Sequence, residues 1–265
     1  MSEENAMSKP GNHNRKVALV TGASVGLGEA IAERLAQEGY DLILLARRQD
    51  KLEALAARLS TNCHIIACDI CDQDAVTKSI EDLPPAFANI ELLVNNAGLA
   101  LGLGPAQNVS WEDWSRMIEV NCTGLAFMTH LLLPGMVERN AGHIINIGSI
   151  AGSYAYFGGN VYGATKAFVE QFSRNLKADL LGTALRVTNI EPGMVGGSEF
   201  SLVRFKGDED KVKATYENAD ALTPEHIADC VAWAATRPAN VNINRIEVMP
   251  VCQAPERLAI HRAKS

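Results

Sequence analysis

The chain has 265 residues, of which 47% are hydrophobic and 21% are charged, which is the composition of a globular protein. Its 31 acidic and 24 basic residues give a net charge of −7, which argues against nucleic acid or an anionic membrane as the main partner. No apolar run approaches about 18 residues, so no membrane span is expected. Residues 1–15 are polar, lack the apolar core of a signal peptide, and are predicted to form a disordered extension.

Six cysteines are scattered along the chain, at positions 63, 68, 71, 122, 230 and 252. Cys68 and Cys71 form a C-x-x-C pair, but no second pair lies at a zinc-type spacing, so no metal site is expected. Scattered cysteines without a secretory signal are typical of reduced thiols. We therefore expect a cytoplasmic protein.

Short apolar runs alternate with helical patterns along the chain. The predicted strands are residues 16–21, 41–46, 64–68, 90–94, 143–147, 185–190 and 241–249. The first predicted helix follows the first strand and ends near residue 38. The other predicted helices cover residues 49–60, 72–83, 110–133, 162–181 and 223–236. Pro134 is expected to break or bend the helix that it follows. Regular alternation predicts an α/β fold, a Rossmann-type doubly wound parallel sheet of about seven strands.

This alternation leaves room for a single domain, over residues 16–252, followed by a polar tail at residues 253–265. Residues 194–222 are irregular and polar, with one short helix expected. Because such a segment over the end of a sheet suits ligand recognition, we predict that it is the substrate loop.

A glycine-rich turn directly follows the first strand. Gly22, Gly26 and Gly28 have the spacing G-x-x-x-G-x-G, a variant of the dinucleotide-binding pattern. Small residues let the backbone approach a phosphate, and the N-terminus of the next helix attracts the anion. The predicted cofactor residues in this turn are Gly22, Ser24, Val25, Gly26, Leu27 and Gly28.

The same turn also fits the nucleophile motif of a different class of enzyme. Residues 22–26 read G-x-S-x-G, which is the nucleophile turn of α/β-hydrolases, with Ser24 as the nucleophile. A hydrolase is therefore the rival class. Against it, the turn follows the first strand, so that no upstream segment can supply the second oxyanion donor, and Gly28 has no role.

Two arginines, Arg47 and Arg48, follow the second strand. In a dinucleotide fold an acidic residue at this place binds the ribose 2′-hydroxyl of NAD, whereas an arginine accommodates the 2′-phosphate of NADP. The planar guanidinium suits phosphate because it can bind two oxygens at once. No acidic residue ends this strand, so NADP(H) is favoured; the alternative is that both arginines open the next helix in solvent.

Tyr162 and Lys166 lie four residues apart on a predicted helix and therefore share one face. An ammonium group there is predicted to lower the pKa of the tyrosine from about 10, so that the phenol can exchange a proton with a substrate oxygen. Ser149, after the strand 143–147, could hold the same oxygen. Asn121 lies in an apolar helical stretch, where its amide needs partners. A surface helix with an incidental Tyr/Lys pair is the alternative.

Together these landmarks resemble the short-chain dehydrogenase/reductase family over residues 15–250. The resemblance is carried by Thr21-Gly22-x-x-x-Gly26-x-Gly28, Asn95-Asn96-Ala97-Gly98, Asn121, Ser149, Tyr162-x-x-x-Lys166 and Pro192-Gly193. It implies that Tyr162 is the proton donor and acceptor, that Lys166 lowers its pKa and holds the nicotinamide ribose, and that Ser149 orients the substrate. It further implies that Asn121 positions a water molecule and that the protein is a homotetramer.

The resemblance also implies cofactor contacts outside the glycine turn. These contacts are Asp69 and Ile70 with the adenine, Asn96 with the ribose, and the segment beginning Pro192-Gly193, which includes Val195, with the nicotinamide amide. Gly98 is a further expected cofactor-binding residue. No metal is implied.

A closer likeness is to the NADP-dependent 3-hydroxy acid dehydrogenase branch of that family. It is carried by residues 95–102, 158–168, 191–197, 203–207 and 241–244. It implies oxidation of the 3-hydroxyl of a small hydroxy acid, with serine, L-allo-threonine and 3-hydroxypropionate left unranked. The alternatives are a reductase of a bulkier ketone and a non-catalytic NADP-sensing protein.

An anionic substrate would need a cationic group near Tyr162, because the net charge of the chain is adverse. Arg204 and Lys206, in the predicted substrate loop, are the candidates. Both could instead be solvated side chains of a charged loop, and the sequence does not choose between them.

Overall fold

A computed structural model of the protein describes residues 15–255. Within this range the strands are β1 Val17–Thr21, β2 Asp41–Ala46, β3 Cys63–Ala67, β4 Ile90–Asn95, β5 His143–Ile147, β6 Arg186–Pro192 and β7 Arg245–Val248. They form one sheet in the order β3-β2-β1-β4-β5-β6-β7, and every neighbouring pair is parallel. The predicted doubly wound parallel sheet is confirmed.

The helices cover both faces of this sheet. They are α1 Leu27–Gln37, α2 Gln49–Arg58, α3 Gln73–Glu81, α4 Trp111–Ile118, α5 Leu125–Glu138, α6 Asn160–Asp179, α7 Phe200–Arg204, α8 Glu209–Tyr216 and α9 Pro224–Ala235. A π-helical turn, Glu119–Gly124, joins α4 to α5.

The inner strands β1 and β2 are nearly continuous apolar runs and are buried along their whole length, because helices pack against both of their faces. Successive side chains of β1 alternate between two cores: Ala18 and Val20 lie in the core under α1 and α9, and Val17 and Leu19 lie in the core on the opposite face. The strand order reverses between β1 and β4, and in such sheets a crevice opens at the carboxyl ends of the strands at that point.

The predicted substrate loop is more regular than its sequence suggests. Residues 194–222 contain two helices, α7 and α8, rather than one. Asp208 caps α8 by accepting a hydrogen bond from the Lys211 amide, a local signal that charge composition alone hides. The seventh strand is also shorter than the predicted 241–249.

Pro134 lies inside α5, which continues to Glu138. Of the two predicted effects, a break of the helix is therefore wrong, and a bend stays a prediction. Proline removes one helical hydrogen bond. The packing of α5 against β4 maintains the helix nevertheless, since tertiary contacts provide most helical stability in proteins.

The continuous helical stretch Trp111–Glu138 is 28 residues long and, by length and composition only, could cross a membrane. This differs from the expectation that no segment of the chain is apolar enough to span a membrane. Asn121 and Thr129 are buried along it with hydrogen-bond partners, and α5 packs against the sheet. Because core helices pass the same test, the stretch is weak evidence for a membrane span.

The predicted N-terminal extension lies outside the described residues except for Arg15, and the predicted C-terminal tail lies outside them except for residues 253–255.

Candidate active site

A cleft of about 900 Å³ opens at the carboxyl ends of the strands. Its walls contain every predicted cofactor and catalytic residue except Asn121. The predicted residues that line it are Gly22, Ser24, Val25, Gly26, Leu27, Gly28, Arg47, Arg48, Asp69, Ile70, Asn96, Gly98, Ser149, Tyr162, Lys166, Pro192, Gly193 and Val195. Elements far apart in the sequence therefore converge on one site.

The glycine turn has a backbone that only glycine permits at its critical positions. Gly22 and Gly26 have φ angles of 67° and 59°, in the left-handed region. A Cβ on Gly28 would lie 2.1 Å from the Gly22 carbonyl oxygen, so a side chain there would push α1 off β1. This close approach leaves a bare backbone facing the cleft at the start of α1, a geometry that fits a cofactor phosphate.

Asn96 and Thr21 fasten the glycine turn to the end of β4. The Asn96 side-chain amide donates to the carbonyl oxygens of Thr21 and Gly22, at 2.9 and 3.2 Å. The Thr21 hydroxyl accepts from the backbone amides of Asn96 and Ala97, both at 3.0 Å. These bonds hold together the loop after β1 and the loop after β4, the two strands between which the strand order reverses.

Arg48 connects the predicted phosphate site to the predicted substrate loop. Its Nη1 lies 2.9 Å from Glu199 Oε2, next to α7, and its Nη2 donates to the Ser24 hydroxyl at 3.4 Å. Arg47, beside it, is exposed. No sequence motif marks Glu199, because its pairing with Arg48 depends on how the loop folds over the glycine turn.

Asp69, which follows β3, pairs with Arg116 of α4, whose Nη2 lies 2.6 Å from the carboxylate. The Cys71 backbone amide and Arg116 lower the pKa of Asp69 despite its partial burial. Arg116 also lines the cleft. The sequence does not predict this position, because no motif surrounds Arg116 in its helix.

Tyr162 and Lys166 lie on one face of α6, as predicted, and both are buried. The Lys166 ammonium donates to the Ile147 carbonyl oxygen at 2.8 Å and lies 6.0 Å from the centre of the Tyr162 ring. Burial raises the pKa of Tyr162 to about 12, although the Ser149 hydroxyl and the Arg204 guanidinium act in the opposite direction. Burial lowers the pKa of Lys166 to about 8.

The structure therefore differs from the expectation that Lys166 lowers the pKa of Tyr162. The ammonium group is directed at a backbone carbonyl, and removal of the phenol from water outweighs the nearby charges. The sequence spacing predicts the shared helix face but not the burial.

Ser149 follows β5 and lies close enough to the phenol of Tyr162 to lower its pKa. Its hydroxyl accepts from the Ala151 amide at 3.1 Å and donates to the Pro192 carbonyl oxygen at 3.4 Å. Ser149, Tyr162 and the segment that starts at Pro192 thus meet at one end of the cleft.

Asn121 lies in the π-helical turn behind the cleft wall and is buried. Its side-chain amide donates to the Leu99 carbonyl oxygen at 2.8 Å and to the Thr165 hydroxyl at 3.0 Å, and its side-chain oxygen accepts from the Leu99 amide at 2.9 Å. The amide is fully satisfied, as an asparagine in an apolar stretch requires.

Three further features that no sequence motif predicts line the same cleft. Tyr156 and Phe200 line the cleft, and the Phe200 ring lies 5.9 Å from that of Tyr162. Residues 253–255, predicted to begin a tail, also line it, and the Gln253 side-chain oxygen accepts from the Met194 amide at 2.7 Å. No sequence motif marks these contacts, which depend on tertiary folding.

Over residues 15–255, no group of three or more His, Cys, Asp or Glu side chains could hold a metal ion. The six cysteines lie in this range and are all free.

Residues 16–205 match the family model described as short chain dehydrogenase. The chain belongs to this family. It is 56% identical over 246 residues to the NADP-dependent 3-hydroxy acid dehydrogenase YdfG of Escherichia coli strain K12, covering 93% of this chain and 99% of that protein. It is 46% identical over 244 residues to the serine 3-dehydrogenase of Rhizobium radiobacter, covering 92% and 97% of the two chains.

A solved structure supports the same relationship. The closed form of serine dehydrogenase complexed with NADP⁺ superposes with a TM-score of 0.92 at 55% identity, covering 93% of this chain and all of that one. The predicted oxidoreductase class is confirmed. The predicted NADP cofactor is confirmed by relatives named as NADP-dependent and by this NADP⁺ complex.

Proposed function

We propose that the protein interconverts the 3-hydroxyl of a small 3-hydroxy acid with the corresponding 3-oxo acid or semialdehyde, using NADP(H). One observation carries the proposal: Tyr162, Ser149 and Lys166 converge at one end of the cleft that begins at the glycine turn. The substrate class is supported by the printed names of relatives, NADP-dependent 3-hydroxy acid dehydrogenase and serine 3-dehydrogenase. Serine, L-allo-threonine and 3-hydroxypropionate are the candidate substrates.

In this proposal Tyr162 is the general acid and base. Its phenol, which is protonated at neutral pH, gives a proton to the substrate oxygen in reduction, and its phenolate takes that proton in oxidation. NADP supplies the hydride acceptor or donor. Ser149 holds the substrate oxygen beside the phenol, and Lys166 provides a buried positive charge on the same helix face.

The cofactor-binding residues have distinct parts in the same proposal. The turn 22–28 holds the pyrophosphate, and Arg48 with Arg47 holds the 2′-phosphate. Asp69 and Ile70 contact the adenine, Asn96 and Gly98 the ribose side, and residues 192–195 the nicotinamide amide.

Asn121 has an additional structural part. Its contacts with Leu99 and Thr165 tie the loop after β4 to α6, and we infer that it holds Tyr162 in place through this connection. The ordered water implied by the family resemblance stays a prediction. The homotetramer and the cytoplasmic location also stay predictions.

The direct test is turnover of NADP⁺ by the purified protein with a panel of 3-hydroxy acids, with NAD⁺ in parallel, followed by the absorbance of NADPH. We expect reduction of NADP⁺ with at least one small 3-hydroxy acid and much weaker reduction of NAD⁺. Silence across the panel with NADPH binding intact would contradict the substrate class and favour a bulkier ketone or a sensor.

The proposed phosphate contact predicts a cofactor-selective effect of Arg48. Replacing Arg48 with alanine should raise the Kd for NADPH by about 10- to 100-fold, since a hydrogen-bonded charge pair contributes about 1.5–3 kcal/mol. The Kd for NADH should change little. Glu199→Gln should tighten NADPH binding, because Glu199 competes for the same guanidinium.

Binding is measured by the fluorescence of the reduced cofactors. Arg58→Ala is the matched control, because Arg58 pairs with Glu29 and Glu33 on the outer surface. An equal loss of NADH and NADPH affinity in Arg48→Ala would remove Arg48 from the 2′-phosphate site.

A further inference from the structure

Arg204 is a half-buried cation in the wall of the cleft, at the end of α7. Across residues 15–255 no carboxylate lies within 4.0 Å of its guanidinium, whereas two other arginines of the cleft wall have acidic partners: Arg48 pairs with Glu199 and Arg116 with Asp69. Arg47 has no such partner either, but it is exposed to water. A charge that is partly removed from water is costly without a counter-charge, so Arg204 is suited to an anion that enters the cleft.

The guanidinium is held in place by neutral groups only. Its Nη2 donates to the Tyr156 hydroxyl at 2.7 Å, and its Nε donates to the Gly102 carbonyl oxygen at 3.3 Å. The Gly102 amide in turn donates to the Arg204 carbonyl oxygen at 2.9 Å. Within the described residues Nη1 makes no hydrogen bond, which leaves donors for a ligand. The group is therefore preorganised before any anion arrives.

Its position relative to Tyr162 defines which anions it can reach. The guanidinium carbon lies 5.6 Å from the centre of the Tyr162 ring and 5.6 Å from that of Tyr156. In a 3-hydroxy acid the carboxyl carbon is separated from the hydroxyl-bearing carbon by a single methylene or substituted carbon. A substrate whose hydroxyl lies at Tyr162 therefore has its carboxylate only a few bonds from that hydroxyl. This spacing is comparable with the 5.6 Å between the guanidinium carbon and the centre of the Tyr162 ring.

We propose that Arg204, steadied by Tyr156, binds the carboxylate of the substrate and so selects small 3-hydroxy acids over uncharged alcohols. This inference rests on the proposed function, and it names the group that recognises the substrate class. Guanidinium can bind both oxygens of a carboxylate, and such charge-assisted bonds are about twice as strong as neutral ones. The net charge of −7 opposes an anionic substrate, and a local positive group in the cleft offsets this repulsion.

Lys206, the other cation that the sequence offered, is excluded by its position. Its ammonium lies 2.7 Å from Asp113, its side chain is 62% exposed, and it does not line the cleft. It lies two residues from Arg204 on the same loop, so it is a matched control for any effect of charge on the loop.

The test compares 3-hydroxypropionate with its methyl ester, an uncharged analogue, as substrates with NADP⁺. The measured quantity is the ratio of kcat/KM for the acid to kcat/KM for the ester, in which effects on Tyr162 or on the loop common to both substrates cancel. Wild type should favour the acid by about 100-fold, and Arg204→Met should lower the ratio by about 100-fold. Tyr156→Phe should lower it by only about 3- to 10-fold, since it removes one of the two hydrogen bonds that hold the guanidinium but leaves the guanidinium itself in place. Lys206→Met should leave it within about threefold.

Each outcome decides between the inference and the proposed function. If Arg204→Met lowers both values equally, Arg204 only holds the loop, and the inference is overturned while the proposed function stands. If wild type uses the acid and the ester equally well, the inference is also overturned. If wild type uses neither substrate or any other 3-hydroxy acid, both fail together.

A second measurement needs no variant and therefore does not depend on the folding of Arg204→Met. Propionate, which has the carboxylate but no hydroxyl, should compete with the ester in the wild-type enzyme, and the neutral propionamide should compete at least about tenfold more weakly. Equal inhibition by the acid and the amide would overturn the inference.

Discussion

Replacing Tyr162 with phenylalanine is expected to lower kcat by about 1,000-fold, near the middle of the range for loss of a general acid or base. The phenol lies at the end of the cleft where Ser149 meets the segment that starts at Pro192, so it is placed to exchange a proton with a bound substrate. Because the ring stays, its packing against Phe200 should be kept. The Kd for NADPH should therefore change by less than about threefold, which separates lost chemistry from lost binding.

The direction of the pH dependence follows from the pKa of Tyr162. Burial raises it to about 12, so at pH 7 almost all of the phenol is protonated and ready to donate in reduction. Oxidation needs the phenolate, whose fraction rises about tenfold per pH unit below the pKa. We expect kcat/KM for oxidation to rise steadily from pH 7 to pH 9, and the Tyr162→Phe variant to lose this rise.

The control is Tyr40→Phe, the same change at a buried tyrosine that lies in the core under α1, away from the cleft. It should leave both kcat and the pH profile unchanged. A flat wild-type profile over this range, or a Tyr162→Phe variant that keeps more than about a tenth of the activity, would contradict the role of Tyr162.

The sequence predicts the framework of the site because its signals are local. Strand periodicity, the spacing of Gly22, Gly26 and Gly28, and the four-residue separation of Tyr162 and Lys166 each depend on a few neighbouring residues. Parallel strands bring their carboxyl ends to one edge of the sheet, so residues that follow different strands meet there without any further information.

The parts that the sequence misses depend on contacts between distant segments. Glu199 meets Arg48 only because the loop folds over the glycine turn, and Gln253 meets the Met194 amide only because the chain returns after β7. The pKa of Tyr162 belongs to the same class, because it depends on how deeply α6 is buried and not on its nearest charged residue. For the same reason the choice between Arg204 and Lys206 needed the structure.

Replacing Lys166 with methionine is expected to have opposite effects on activity and on stability. The buried ammonium lies on the Tyr162 face of α6, and its loss should lower kcat by about 100-fold, as for removal of one preorganised electrostatic group from an active site. Methionine keeps a similar length of apolar side chain in the same place. Replacing the ammonium also removes the free-energy cost of burying its charge.

The stability argument follows from the difference in the pKa of Lys166 between the two states. Burial lowers it from 10.5 to about 8 in the folded protein. Between these values the unfolded chain binds more protons than the folded one, so the free energy of unfolding of wild type rises with pH from 8 to 10.5. Below pH 8 the amine is charged in both states. Burial of this charge then lowers the free energy of unfolding by about 3 kcal/mol.

Methionine leaves the Ile147 carbonyl oxygen without its hydrogen bond, which offsets about 1–2 kcal/mol of that gain. Lys166→Met should therefore be at least as stable as wild type at pH 7, and its advantage should disappear by pH 10.5, as measured by urea unfolding at both pH values.

Lys177→Met is the matched control, because Lys177 lies on the same helix, donates to the Leu185 carbonyl oxygen and is only partly buried. If Lys166→Met is clearly less stable than wild type at pH 7, the lysine supports the fold as well as the chemistry. A more stable and nearly inactive variant would mean that the buried charge is kept at the expense of stability, for the reaction alone.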